Sequence, residues 1–162
     1  MPENQHLNLD KVLVLSFGFV ILFTAFLSCQ NITAKIMKDL GFEGLGFINL
    51  AIIYLSFGCN SLLASRINDK FGTRLTLCFS GLTYALWVAS FLLPAYKYEA
   101  LQNGYTNEEL VSDNVIIVVT LTSAFLIGLG AGPLWVSQSF YLTECANDLN
   151  KGRYNSLFYG IF

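Results

Sequence analysis

The sequence predicts an all-α integral membrane protein: four spanning helices with the start of a fifth at the C-terminus. Three observations predict it. Only 12% of the 162 residues are charged, about half the share usual in a soluble domain. Apolar residues make up 54% and aromatics 15%, so something other than water must face much of the surface. The charges are also clustered, and the stretches between them are each at least about 20 residues long, enough for a helix to cross a hydrocarbon core of about 30 Å.

The elements follow in order. Residues 1–11, MPENQHLNLDK, form a polar, mildly acidic tail without the basic region or small-residue cleavage site of a secretory signal, and without Arg-rich transit character. The tail is expected on the cytoplasmic side, and His6 within it is read as solvated and without a role. Residues 12–162 form one helical bundle. Its first span, 12–34, lies between Lys11 and Lys35 and is expected to act as the retained insertion signal. The second span covers 44–65, between Glu43 and Arg66; the third 75–96, between Arg74 and Lys97; the fourth 114–143, between Asp113 and Glu144. A fifth begins near residue 153.

Orientation follows from the basic residues, which favour the cytoplasmic side in short loops. Lys11, Arg66, Lys70, Arg74, Lys151 and Arg153 fall on one side, and Lys35, Lys38 and Lys97 on the other. This predicts an N-inside topology, with the loop carrying Glu99, Glu108, Glu109 and Asp113 outside. Tyr96, Tyr98, Trp135, Phe140 and Tyr141 lie near span ends, where amphipathic rings suit the headgroup level.

Small residues predict how the helices meet. Gly81, Ala85 and Ala89 recur at four-residue spacing in the third span, Gly128 and Gly132 in the fourth with Gly130 between them, and Ser61 and Ser65 in the second. Such ridges let backbones approach closely in lipid. Pro133 removes a backbone donor and is expected to kink the fourth span. A kink of this kind serves either a transport cavity or an inert bundle.

Several chemistries are excluded or discounted. The run Gly128-Leu-Gly-Ala-Gly132 lacks the third glycine of a dinucleotide loop, follows no strand and lies in a lipid-length segment. Cys29, Cys59, Cys78 and Cys145 have neither metal-ligand nor disulfide-framework spacing and read as small apolar fillers. There is no Ser–His or Cys–His pair and no paired intramembrane carboxylate, so an intramembrane enzyme is not expected, nor is a metal or other cofactor. The slightly acidic balance argues against nucleic-acid binding. The acceptor pattern Asn31-Ile-Thr33 sits at the membrane edge and is discounted as a glycosylation site.

The loop Ser65-Arg-Ile-Asn-Asp69-Lys70-Phe71-Gly72-Thr73-Arg74 resembles the signature loop of the major facilitator superfamily. Asp69, Lys70, Phe71, Gly72 and Arg74 match, Ser65 stands for the first glycine, and Thr73 for the first of the closing basic pair. Physically, Gly72 permits a tight turn between helices, Asp69 lies close before a helix N-terminus, and Arg74 can pair with a neighbouring carboxylate. After the fourth span, Tyr141-Leu-Thr-Glu144 and Lys151-Gly-Arg153 are similar to the acid and the basic-Gly-basic turn of the same superfamily. The resemblance implies a cytoplasmic cluster of Asp69, Lys70, Gly72, Arg74, Glu144 and Arg153; the alternative is a set of solvated loop charges. Cys29-Gln-Asn-Ile-Thr33, Gly44 to Tyr54, Leu82 to Leu86 and, most specifically, Leu134-Trp-Val-Ser-Gln-Ser-Phe-Tyr-Leu-Thr143 resemble the ion channel regulatory, Unc-ninety-three-like branch.

That resemblance implies a truncated major facilitator fold, since the superfamily has twelve spans and this sequence stops at Phe162. Ala124 stands where many proton-coupled members carry an arginine, and no span contains a buried acid or base, the usual mark of ion coupling. The expected function is therefore an accessory or regulatory subunit of a larger membrane complex or channel, with other membrane proteins and lipids as partners. The alternative is the N-terminal fragment of a twelve-span small-solute transporter. Gln30, Asn31, Asn60, Tyr84, Trp135 and Gln138 could line a cavity or a partner contact, and each serves equally as a helix–helix hydrogen-bonding group. The resemblance implies the plasma membrane or an endomembrane; the mitochondrial inner membrane remains the alternative.

Overall fold

A computed structural model describes residues 8–104, 111–147 and 149–162. His6, most of the N-terminal tail, and Glu108 and Glu109 lie outside the described residues. The described chain is all helix and turn: α1 (Leu9–Asp39), α2 (Leu45–Ser61), α3 (Ala64–Phe71), α4 (Thr73–Ser90), α5 (Leu92–Gln102), α6 (Asp113–Cys145) and α7 (Lys151–Ile161). Three segments are long and apolar enough to cross a membrane alone: α1, the α4–α5 run Thr73–Gln102, and α6. The bent pair α2–α3 is apolar enough to make a fourth if it crosses as one broken span, and α7 follows α6. The protein is an integral membrane protein of the helical class.

α1 outlasts the uncharged stretch that announces it, running on through Lys35 and Lys38 to Asp39. Gly41, at φ +82°, stops it. The N–H groups of Phe42 and Gly41 return to the carbonyls of Met37 and Lys38 at 2.9 and 3.0 Å, closing the helix with a left-handed glycine.

The second span, expected as one helix over 44–65, is two, bent by 66° at Leu62–Leu63. Local competition for the backbone explains the break. Ser61 Oγ donates to Gly58 O at 2.8 Å, and the Leu63 N–H tightens onto Asn60 O at 3.0 Å. Side chains and i→i+3 bonds of this kind draw a helix end off its ladder. The stretch expected as a loop after this span is mostly α3, with only Gly72 between it and α4. The third span likewise continues past its expected end at 96, to Gln102. Its one irregularity, at Phe91, precedes Pro94, which has no N–H to offer the Ser90 carbonyl.

α6 is the hub, packed most extensively between α4 and α2, while α7 packs chiefly on α1. Its glycines set the geometry. A Cβ on Gly128 would meet Ser56 and sit 2.6 Å from Ile53 O; one on Gly132 would lie 2.9 Å from Ser61 Cα; one on Gly130 would collide with Thr83. Positions 128 and 132 share a helix face, and 130 points the other way. The run thus opens α6 to α2 on one side and to α4 on the other.

The second contact zone is aromatic. Phe19 and Phe23 of α1 meet Trp135 of α6 and Phe158 and Phe162 at the C-terminal end, with ring centroids 5.0 to 5.9 Å apart and mostly edge-to-face. The outer surface is apolar, with Val14, Ile21, Phe47 and Leu55 all more than 70% exposed, as lipid contact requires.

Candidate functional site

The signature residues gather at the α3–α4 turn. Gly72 is both the last residue of α3's cap and the first of α4's, at φ +81°, ψ 152°, a conformation L side chains rarely adopt. Its N–H bonds Asn68 O at 2.8 Å, and its carbonyl accepts from Thr76 N at 3.1 Å. The next residue, Thr73, donates its hydroxyl to Glu144 Oε1 at 2.6 Å, fastening the start of α4 to the last turn of α6. One turn back, buried Asn68 accepts from Ser137 Oγ at 2.7 Å, so α3 is tied to α6 as well. Asn8 Nδ2 reaches Cys145 O at 3.0 Å and brings the start of α1 to the same end.

Arg74 and Glu144 line one open cleft of about 390 Å³ with Phe71, Gly72, Thr73 and Leu75. Lys70 Nζ stands 5.5 Å from the Phe71 ring centroid. Asp69, Lys70, Arg74, Glu144 and Arg153 are all exposed. Among the described residues the ion pair found is Lys97–Asp113, and none joins the members of the signature cluster. Asp69 and Arg153 do not line the Arg74–Glu144 cleft.

The membrane interior is held by neutral hydrogen bonds. Asn49 of α2 donates to Thr120 O at 3.0 Å and accepts from Trp87 Nε1 at 3.1 Å, linking α2, α4 and α6. Ser123 Oγ donates to Ser90 Oγ at 2.8 Å. Asn60 donates to Leu129 O, the carbonyl that Pro133 leaves without an i+4 donor. α6 therefore runs unbroken through Pro133 because a side chain from α2 replaces the missing N–H.

The other sequence-singled residues scatter. Tyr84 is buried, its ring 5.5 and 5.4 Å from Phe23 and Phe26. Trp135 belongs to the aromatic zone. Gln138 is 1% exposed; its Oε1 accepts from Ser139 at 3.3 Å, and its Nε2 has no partner among the described residues. Gln30 is half-buried and Asn31 exposed. Gly81 has open space where a Cβ would stand, and Ala85 is exposed.

Sequence reasoning missed Asn49, Asn68, Thr73, Trp87, Thr120 and the Lys97–Asp113 pair. A signal was present for the first: Asn49, Ile53, Ser56 and Asn60 recur at helical spacing on one face of α2, and all four reach α6.

The family described as ion channel regulatory protein UNC-93 matches residues 42–102, the stretch from the turn after α1 through α5. The UNC93-like protein MFSD11 of Xenopus tropicalis is 28% identical over 99% of this chain and 32% of its own length. The protein unc-93 homolog A of Mus musculus is 30% identical over 86% of the chain and 26% of its length. The UNC93-like protein 3 of Arabidopsis thaliana is 27% identical over 92% of the chain and 28% of its length. No solved structure matches. The chain spans about a third or less of the length of these relatives. With the signature turn and the Trp135–Gln138 stretch in place, the chain is similar over nearly its whole length to part of the UNC93-like proteins, and over residues 42–102 to the family described as ion channel regulatory protein UNC-93.

Proposed function

We propose that this chain is a non-catalytic accessory or regulatory subunit of a larger membrane complex or channel. The observation that carries the reading is the neutrality of the bundle interior. The spans are joined through Asn49, Trp87, Thr120, Ser90, Ser123 and Asn60, and the described ion pair, Lys97–Asp113, ties α5 to the first residue of α6. Ion- or proton-coupled pumping relies on ionisable groups deep inside the membrane, and among the described residues the Asp, Glu, Lys and Arg side chains of the spans, buried Lys97 included, stand within two turns of a span end. The family's description as ion channel regulatory supports the same reading, with membrane proteins as partners. On the positive-inside bias the N-terminus and the α3–α4 turn face the cytoplasm, and Asp69, Lys70, Gly72, Arg74, Glu144 and Arg153 form a cytoplasmic coupling surface.

A second reading is supported by the length of the relatives: the chain is part of a longer transport-type protein. Native purification in mild detergent, with mass spectrometry of what is recovered, separates the two. Recovery at fixed stoichiometry with a channel or another membrane complex is the expected result. Recovery alone, or as a longer chain with further spans, overturns the subunit reading in favour of the transporter.

A further inference from the structure

The bend between α2 and α3 opens a lateral groove on the outer side of the bundle. Its volume is about 470 Å³, and Ile67 and Phe71 of α3, Phe79 and Thr83 of α4, and Leu126 and Pro133 of α6 are among its lining. The groove is overwhelmingly apolar, and its depth comes from Gly130 at the α4 contact. At one end, Phe71 is also a wall of the polar cleft that holds Arg74. The apolar groove and the cleft that holds Arg74 and Glu144 thus share one side chain, and Lys70 stands beside it.

The cations at that shared wall make no ion pair: neither Lys70 nor Arg74 has one among the described residues, and the one carboxylate in the cleft, Glu144, is turned to the Thr73 hydroxyl. Arg66, Lys70 and Arg74 against Asp69 and Glu144 still leave this end of the bundle net positive. An apolar slot of acyl-chain character that ends at unpaired cations, at the level where a bilayer places its headgroups, is complementary to one kind of molecule. We propose that this groove binds an anionic phospholipid of the surrounding bilayer, one acyl chain lying between α3, α4 and α6 and the phosphate at Lys70 and Arg74. The bend gives the chain its entry, since a straight α2–α3 helix would lay Ile67 and Phe71 along α6 and close the slot.

The test is native mass spectrometry of the full chain released from phosphatidylcholine vesicles containing phosphatidylglycerol. The expected result is one phosphatidylglycerol retained in preference to phosphatidylcholine. Leu126→Trp, which fills the groove from α6, lowers retention of either lipid several-fold. Lys70→Gln and Arg74→Gln keep a bound lipid but each lowers the preference for the anionic one, by about fivefold per charge removed. If Leu126→Trp fails to elute as a monodisperse helical protein, Phe79→Trp on the opposite wall takes its place. Equal retention of the two lipids by the unaltered chain overturns the proposal. So does a folded groove-filled variant that holds lipid as well as the parent, or a preference untouched by loss of both cations.

Discussion

α6 meets its neighbours through two unlike surfaces. Towards α2 and α4 it offers glycines, and the partners answer with serine, threonine and asparagine. Towards α1 and the C-terminal end it offers Trp135, answered by phenylalanine rings. The first surface brings backbones close enough that a single added carbon strikes a carbonyl 2.6 Å away, while the second keeps them apart by the width of a ring. Lipid tails are as apolar as leucine, so burying apolar area gives helices in a bilayer no reason to associate. The glycine surface earns its stability from close dispersion contact and hydrogen bonds, the aromatic one from ring geometry.

Substitutions sharpen that contrast. The largest effect is expected at Gly128→Leu, where Ile53 O cannot move aside: destabilisation of about 3 kcal/mol or more, read by thermal or denaturant unfolding in detergent micelles. An unfolding midpoint unchanged from the parent would show that α2 and α6 do not meet there. Phe158→Ala, in the aromatic zone, is expected to cost about 2 kcal/mol, less than a comparable deletion in a water-soluble core, because lipid can fill part of the space. If it exceeds Gly128→Leu, the aromatic surface and not the glycine one dominates.

Asn60→Leu is expected to cost about 1 kcal/mol, with a specific signature. In a Pro133→Ala background, residue 133 regains the N–H that bonds Leu129 O, and the cost of Asn60→Leu should fall towards zero. Equal cost in both backgrounds would sever the link between the proline and the asparagine. The smallest effect is expected at the exposed membrane edge. Thr73→Val should cost about 0.5 kcal/mol, in keeping with a partly solvated hydrogen bond, and a double-mutant cycle with Glu144→Gln should assign most of it to that pair.

The spans were legible because charge marks their ends: Lys11, Arg74 and Asp113 each stand within a few residues of a helix start. What the pattern could not tell is which side of a helix meets protein. Gly81 and Gly128 look alike in sequence, both small residues at four-residue spacing. Yet Gly128 presses on Ser56, and the space beside Gly81 is open. In a water-soluble helix the apolar stripe would mark the buried side; here every side is apolar, so periodicity loses its pointer. The bend at Leu62–Leu63 was hidden for a related reason, since neither proline nor glycine marks it, and it goes with the Ser61 hydroxyl turned back on Gly58 O and the Leu63 N–H drawn onto the Asn60 carbonyl. At the α3–α4 turn, the glycine and the charges were readable from the motif. The fastening of Thr73 to Glu144 was not, because it joins residues 71 positions apart.

Gly72 belongs to two helices at once. With only Gly72 between α3 and α4, there is little slack to absorb a displacement, and whatever pushes α3 cranks the foot of α4. Thr73 and Asn68 then pass the load to α6, one through Glu144 and the other through Ser137. The turn is a bell crank: a sideways pull on an eight-residue arm becomes a lengthwise one on the 33-residue shaft at the centre of the bundle.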